Sequence, residues 1–463
     1  MSADASTLMS AEAPGPAPAS LKTLLTLAWP IIISRASQTV VSLSDTLMVA
    51  PLGAAALAAT ATGAVNAFTL LILPMGITFI VSSFSAQLHG RGDLAGARRY
   101  GWYGLGVAAA TQVACLLAIP FLGQVLGLLP YEAQVHQWMT EYMALRLVSG
   151  GAAIGIEALA NYYGGLGRTR PGMVANVLAM ALNVFLNWVL IFGHLGAPVM
   201  GVAGAALAST LATWAAFLGF AWFFWTDARA GEKAKLRARE FFRMLRFGVP
   251  SGFNWFFEFL AVIFFINVVV AGLGTPALAA MNAIFALNSV SFMPAFGLTS
   301  AGAILVGQAI GANAKDQVPG VVWLTARTAG TWQVLVGLVY LLVPAALMVP
   351  FAQGEHAARM TDIGVRMLMV SAAWQVFDAA SLTLAESLRA AGDTLYPLLA
   401  RLVIAWLVFV PGSYLTVTRF GGGDVGAMAW LVVYLAVLSA VLWLRFSSGA
   451  WRHVQLVELE PAP

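Results

Sequence analysis

The chain of 463 residues is 60% hydrophobic, only 10% charged, and has a net charge of +4. It has more apolar surface than a soluble fold of this length buries, and its slight excess of base gives no footprint for nucleic acid. A single cysteine, Cys115, excludes an intrachain disulfide and a multi-cysteine metal centre. The composition is that of an all-α polytopic membrane protein.

Residues 1–20, MSADASTLMSAEAPGPAPAS, lack a basic start followed by an apolar core and read as a disordered tail, not a signal peptide. Beyond them, runs of about 20 or more apolar residues broken at Gly, Pro and charge clusters predict twelve spanning helices. They cover about 24–50, 55–88, 99–127, 137–165, 171–193, 202–226, 247–272, 276–309, 320–352, 362–389, 396–418 and 425–446. The expected division is an N-lobe over 21–226, a basic cytoplasmic linker over 227–246, a C-lobe over 247–446 and a cytoplasmic tail over 447–463.

Basic residues collect in alternate connections: Arg91, Arg98 and Arg99; Arg168 and Arg170; the set from Arg229 to Arg246; Lys315; and Arg401. The charge bias places both termini in the cytoplasm. Leu236, Phe242 and Leu245 interleave the bases of the long connection, which is either an amphipathic segment on the inner leaflet or a solvated linker.

The two halves align at a shift of about 220 residues. LAWP at Leu27 meets FGVP at Phe247, LGAAALAA at Leu52 meets LGTPALAA at Leu273, and AQLHG at Ala86 meets GQAIG at Gly307. Six helices per repeat is an even number. The lobes are therefore expected to be related by a pseudo-two-fold axis along the membrane normal.

An acid inside the bilayer is costly and marks an ion or substrate pathway. Glu258 in the seventh predicted helix and Asp378 in the tenth each lie about 11 residues from the predicted cytoplasmic end, roughly 17 Å deep at 1.5 Å per residue. They are expected to bind a cation jointly, Na+ being the metal considered, or to share a proton. The alternative is that each is satisfied within its own helix pair.

Asn254, Trp255, Asn282, Asn288, Trp374, Gln375 and Phe377 surround them as candidate cation-shell or substrate-facing residues. Packing between helices is the competing role for each. In the first half Gln38 stands where the second has Glu258, and the acid is Asp45, two turns further along, with Asn183 and Asn187 as candidate helpers. Asp45 reads as a proton site or as the cap of a break near Pro51. Arg35 and Glu157 fall at similar depths and predict a structural salt bridge, whereas Glu386 and Arg389 predict an i,i+3 pair at the membrane interface. No GxxxxGK[ST], HExxH or GxSxG occurs, so neither ATP hydrolysis nor a hydrolase site is indicated.

Five stretches together resemble the multidrug and toxic compound extrusion (MATE) transporters, over about Leu24 to Arg445. They are LAWPIIISRASQTVVSLSDTLMV, AQLHGRGD, ALNVFLNWVLIFG, FGVPSGFNWFFEF and FDAASLTLAESLRAAGDT. The resemblance implies two six-helix lobes around a cleft that opens alternately to either side, with export of organic cations in exchange for Na+ or H+. It implies that Glu258 and Asp378 match the family's C-lobe cation-site acids and Asp45 the acid of its first helix. Asn187, where another branch has aspartate, places the chain in the NorM-like branch.

The expected activity is secondary antiport without a cofactor, by a monomer in a bacterial inner membrane, with small organic cations and the lipid bilayer as partners and no nucleic acid. A lipid-linked precursor flippase of the same superfamily and a membrane-embedded enzyme are the alternatives.

Overall fold

The computed structural model describes residues 20–128, 130–230, 235–351 and 357–458, which form helices and turns with no strand among them. The expected tail over 1–19, Lys233 of the linker and the last five residues lie outside the described residues. Ten helices are each long and apolar enough to span, and two further spans are bent pairs, giving twelve.

The spans are α1 (Leu21–Val49), α2 (Ala54–Gly90), α3 (Leu94–Ala118), α4 (Ala133–Leu147 and Gly150–Gly165), α5 (Arg170–Phe192) and α6 (Gly201–Ala230). The second half repeats them as α7 (Ala238–Phe264, continued by a π-helical Phe265–Val270), α8 (Thr275–Gly311), α9 (Val318–Leu342, then Pro344–Met348), α10 (Ala357–Ala391), α11 (Leu395–Val403, π-helical Ile404–Phe409, Val410–Thr418) and α12 (Gly423–Ser447).

The repeat is visible in backbone details. Pro30 and Pro250 lie inside α1 and α7, and Pro74 and Pro294 inside α2 and α8. Gly53 and Gly274 cap α2 and α8 with φ of 109° and 101°, a region that a side chain makes costly, so both halves keep glycine there. α1 packs between α5 of its own lobe and α8 of the other; α7 packs between α11 and α2. The two first helices therefore straddle the seam between the lobes.

Two hydrogen bonds cross the seam near the ends of α2 and α8. Gln87 Nε2 donates to the Ala390 carbonyl (2.8 Å), and its repeat counterpart Gln308 Nε2 donates to the Gly165 carbonyl (3.0 Å). Beside them Gly90 and Gly311 let the ends of α2 and α8 touch. A Cβ on Gly90 would stand 2.2 Å from the Gln308 carbonyl oxygen, and one on Gly311 2.0 Å from that of Gln87.

Four boundary expectations are corrected. α7 begins at Ala238, not near 247, because Glu240 accepts hydrogen bonds from Arg99 Nε (2.7 Å) and Tyr103 Oη (2.9 Å) of α3, docking the basic stretch as helix. A depth counted from residue 247 is thus not a depth from the end of α7. Arg401 is not a loop base but sits inside α11, 4% exposed. The residues after α12 are not a free tail. Trp451, Leu456 and Val457 are buried, and Arg243 of α7 donates to the carbonyls of Gln455 (2.6 Å) and Leu456 (2.7 Å). Finally, α4 and α9 are bent, by 46° and 91°.

Candidate functional site

Five carboxylates carried by the spans are buried or half-buried and bear on the site: Asp45, Glu157, Glu258, Asp378 and Glu386. Three of them face a guanidinium. Arg35 binds Glu157 through both terminal nitrogens (2.9 and 2.8 Å), and Gln38 Nε2 adds a bond to the same carboxylate (2.7 Å). Glu258 meets Arg401, and Glu386 meets Arg389. The last pair is the expected i,i+3 contact, near the end of α10. Both residues are buried, and Arg389 reaches across the seam to the Phe79 carbonyl and to Ser83 Oγ (3.2 Å) of α2. Arg35 and Arg389 approach the Phe79 ring at 5.7 and 5.9 Å, and a cavity of about 50 Å³ lies between the lobes at this level.

Asp45 is 3% exposed and has no cationic partner among the described residues. Its Oδ1 accepts from Asn183 Nδ2 (3.0 Å) and Asn187 Nδ2 (2.6 Å), and its Oδ2 from Ser209 Oγ (2.6 Å). Helices α1, α5 and α6 thus converge on one carboxylate. The sequence pointed to the two asparagines but not to Ser209, which reads with Thr210 and Thr213 as one of several small hydroxyls on α6 and carries no charge to single it out. A carboxylate, two amide oxygens and a hydroxyl are the hard oxygen donors that suit Na+ or a proton. Asn187 Oδ1, buried and without a partner, is one such donor left over. The site can take one positive charge once its amides turn their oxygens inward.

Asp378 is the other of the five without a cationic partner among the described residues. Its Oδ2 accepts from Gln333 Nε2 of α9 (3.3 Å), and the network runs on: Ser291 Oγ donates to Gln333 Oε1 (2.6 Å), and Gln375 Nε2 donates to Asn288 Oδ1 (2.6 Å). Ser291 also faces Gln375 Oε1 at 3.4 Å, so α8, α9 and α10 share one polar chain. Gln333 and Ser291 were missed in the sequence, because each is an uncharged polar residue among others of its kind, Thr328 and Thr331 before Gln333, Asn288 and Ser289 before Ser291, and none of these is a charge that the bilayer makes costly.

The acids Glu258 and Asp378 share no hydrogen bond among the described residues; Tyr434 of α12 lies within electrostatic reach of both Arg401 and Asp378. Trp374 is buried beside the network and Phe377 is exposed. Asn282 is exposed and makes no side-chain hydrogen bond among the described residues. Trp255 stacks edge-on against Phe79 and Phe296 at the seam (5.8 Å each), and Asn254 Oδ1 is buried without a partner. Gln38 belongs to the Arg35–Glu157 cluster and also donates to Asn176 Oδ1 (3.2 Å).

A family profile described as MatE matches residues 30–189 and again 250–415, once in each lobe. The chain belongs to the MatE family. It is 30% identical over 456 residues to the "Probable multidrug resistance protein NorM" of Mesorhizobium japonicum, covering 92% of this chain and 94% of that protein. It is 28% identical over 477 residues to "Multidrug resistance protein PmpM" of Pseudomonas aeruginosa, covering 94% and 93%. Its fold superposes with a TM-score of 0.83 on a structure described as an outward-facing conformation of a multidrug resistance MATE family transporter, with 21% identity over 94% of this chain and 97% of that one. These likenesses make this MatE chain a multi-span efflux transporter and not an enzyme.

Proposed function

We propose that this protein is an antiporter of a bacterial inner membrane that expels amphipathic organic cations in exchange for H+ or Na+, working as a monomer with both termini cytoplasmic. One observation carries the reading: each lobe holds one carboxylate with neutral donors and, among the described residues, no guanidinium, Asp45 in the N-lobe and Asp378 in the C-lobe. An unbalanced carboxylate in low dielectric strongly favours binding one positive charge, whether a proton, Na+ or the charge of an organic cation.

Binding one excludes another at the same carboxylate, which is the competition that exchange requires. A bound cation biases the lobe arrangement only through its different affinity for the two states. Here the donors around Asp45 come from three helices, and those around Asp378 link to α8 through α9, so relative helix movement changes both shells. The names of the relatives agree with drug efflux. A flippase for anionic lipid precursors would call for a net positive cleft, whereas Arg35 and Arg389 are each neutralised by an acid.

The test is uptake of tetraphenylphosphonium into proteoliposomes under separately imposed proton and sodium gradients. Uptake that follows one of them supports antiport; uptake that ignores both contradicts it.

A further inference from the structure

The pair Glu258–Arg401 has a neutral counterpart. Gln38 stands eight residues after Pro30, as Glu258 stands eight after Pro250. Asn176 stands nine residues after Gly167, as Arg401 stands nine after Gly392, both glycines having positive φ just beyond the ends of α4 and α10. Gln38 and Asn176 touch at 3.2 Å, and Glu258 and Arg401 touch in the other lobe. One contact, first helix to fifth helix of the repeat, is a hydrogen bond between amides in the N-lobe and an ion pair in the C-lobe.

The ion pair is lopsided. The Glu258 side chain keeps 24% of its surface exposed, while that of Arg401 keeps 5%. A cation can therefore approach the acid from the side away from the guanidinium. Behind Arg401 lies a narrow cavity of about 20 Å³ bordered by Ser251, Asn254, Glu386, Arg389 and Thr394. Two buried polar atoms at its edge have no partner, Asn254 Oδ1 and Arg401 Nε, an acceptor and a donor. Unpaired buried groups of this kind are costly to leave so.

We propose that Arg401 is a tethered counter-cation with two seats: on Glu258 while the C-lobe is empty, and against Asn254 Oδ1 and Glu386 once an organic cation has taken Glu258. The exchange keeps Glu258 paired throughout and avoids the cost of a bare charge in the membrane. The charge that arrives is balanced by Asp378, which has no guanidinium of its own. Arg401 thereby sets cargo affinity without touching the cargo.

This rests on the antiport reading only in taking an organic cation as cargo. The experiment is equilibrium binding of tetraphenylphosphonium to the purified full-length protein. Freed of its competitor in Arg401→Asn, Glu258 binds about tenfold more tightly than in wild type, the factor expected when the competent state rises from about a tenth to all of the population. Arg401→Lys stays near wild type. The double variant Glu258→Gln with Arg401→Asn, which installs the N-lobe's own neutral pair, loses the gain. Asn254→Leu removes the second seat but leaves the ion pair, so it weakens binding with an unchanged melting temperature.

Arg401→Asn binding no more tightly than wild type, the double variant binding as tightly as Arg401→Asn, or Asn254→Leu binding as wild type would each overturn the proposal. The Asn254→Leu result decides it even if Arg401→Asn does not fold. Wild-type transport measured in parallel judges the antiport reading separately: failure to move the cation removes that reading and leaves the ranking of affinities to judge Arg401.

Discussion

Asp45 and Glu157 lie in the same lobe, and the surroundings of each predict opposite phenotypes. Asp45→Asn keeps the shape of the side chain and a carbonyl oxygen for Ser209 or Asn187, so the variant is expected to fold with a melting temperature within a few degrees of wild type. It removes the charge, and gradient-driven transport is expected to fall to the background of empty vesicles. Glu157→Gln leaves Arg35, 15% exposed, without its bidentate partner. Breaking a buried pair from one side costs about 3–5 kcal/mol, so this variant is expected to lose stability first, seen as a lower unfolding midpoint in detergent. Swapping the two charges, Arg35→Glu with Glu157→Arg, is expected to recover part of the loss; no recovery would show that geometry, not charge, holds the site.

The depth count in the sequence was enough to bring Arg35 to Glu157, since both sit in helices whose ends it placed well. It could not bring Glu258 to Arg401, because a base near a predicted helix end was counted with the loops. The repeat carried the missing signal: continued past the end of α4, it sets Arg401 opposite Asn176, inside the fifth helix.

Helices show where local chemistry set the architecture and where packing overrode it. Glycine and proline marked α2 and α8 to within two residues, Ala54–Gly90 and Thr275–Gly311 against predictions of about 55–88 and 276–309. The bends of α4 and α9 had signals too, Gly150–Gly151 and Pro344, but a long apolar run outweighed them. The C-lobe's π-helical turns had none. Phe265, fifteen residues after Pro250 as Asp45 is after Pro30, packs on Phe409 at 5.1 Å where the N-lobe holds its carboxylate site. A π-turn re-aims side chains and is frequent near functional sites; here the pair of them fills with rings the depth at which the other lobe is polar.

At the end of α8, Gly311 offers a test of the seam. Gly311→Val adds a side chain where even a Cβ meets the Gln87 carbonyl at 2.0 Å, so the lobes are expected to part at this face. In a Cys115→Ala background, a cysteine placed at Ser300, beside the cavity between the lobes, is expected to react with a soluble maleimide about tenfold faster in the Gly311→Val protein. An unchanged rate would mean that the approach of α2 and α8 does not hold the face shut.

Across the whole molecule, the two lobes share a scaffold and differ in charge. Helix count, six-helix repeat and parallel relation of the halves were legible because apolar periodicity and the paired prolines report on backbone alone. Which acids stay unbalanced was legible only in part: the Glu386–Arg389 pair is local to α10, whereas Arg401 claims Glu258 from another helix, and Asp45 and Asp378 remain. The terminal segment adds a tie of the same long-range kind, with Leu456 packed into the N-lobe cluster around Phe84 and Met244 although it follows the last C-lobe helix.

The central claim is that these two carboxylates, one per lobe, couple the ion to the drug. It is tested most directly by transport of tetraphenylphosphonium in proteoliposomes under separate proton and sodium gradients, comparing wild type with Asp45→Asn and Asp378→Asn. Each neutral variant is predicted to lose uptake driven by the gradient that drives wild type while still binding to the same lipid vesicles as folded protein. Wild-type uptake by both variants under that gradient would contradict the account.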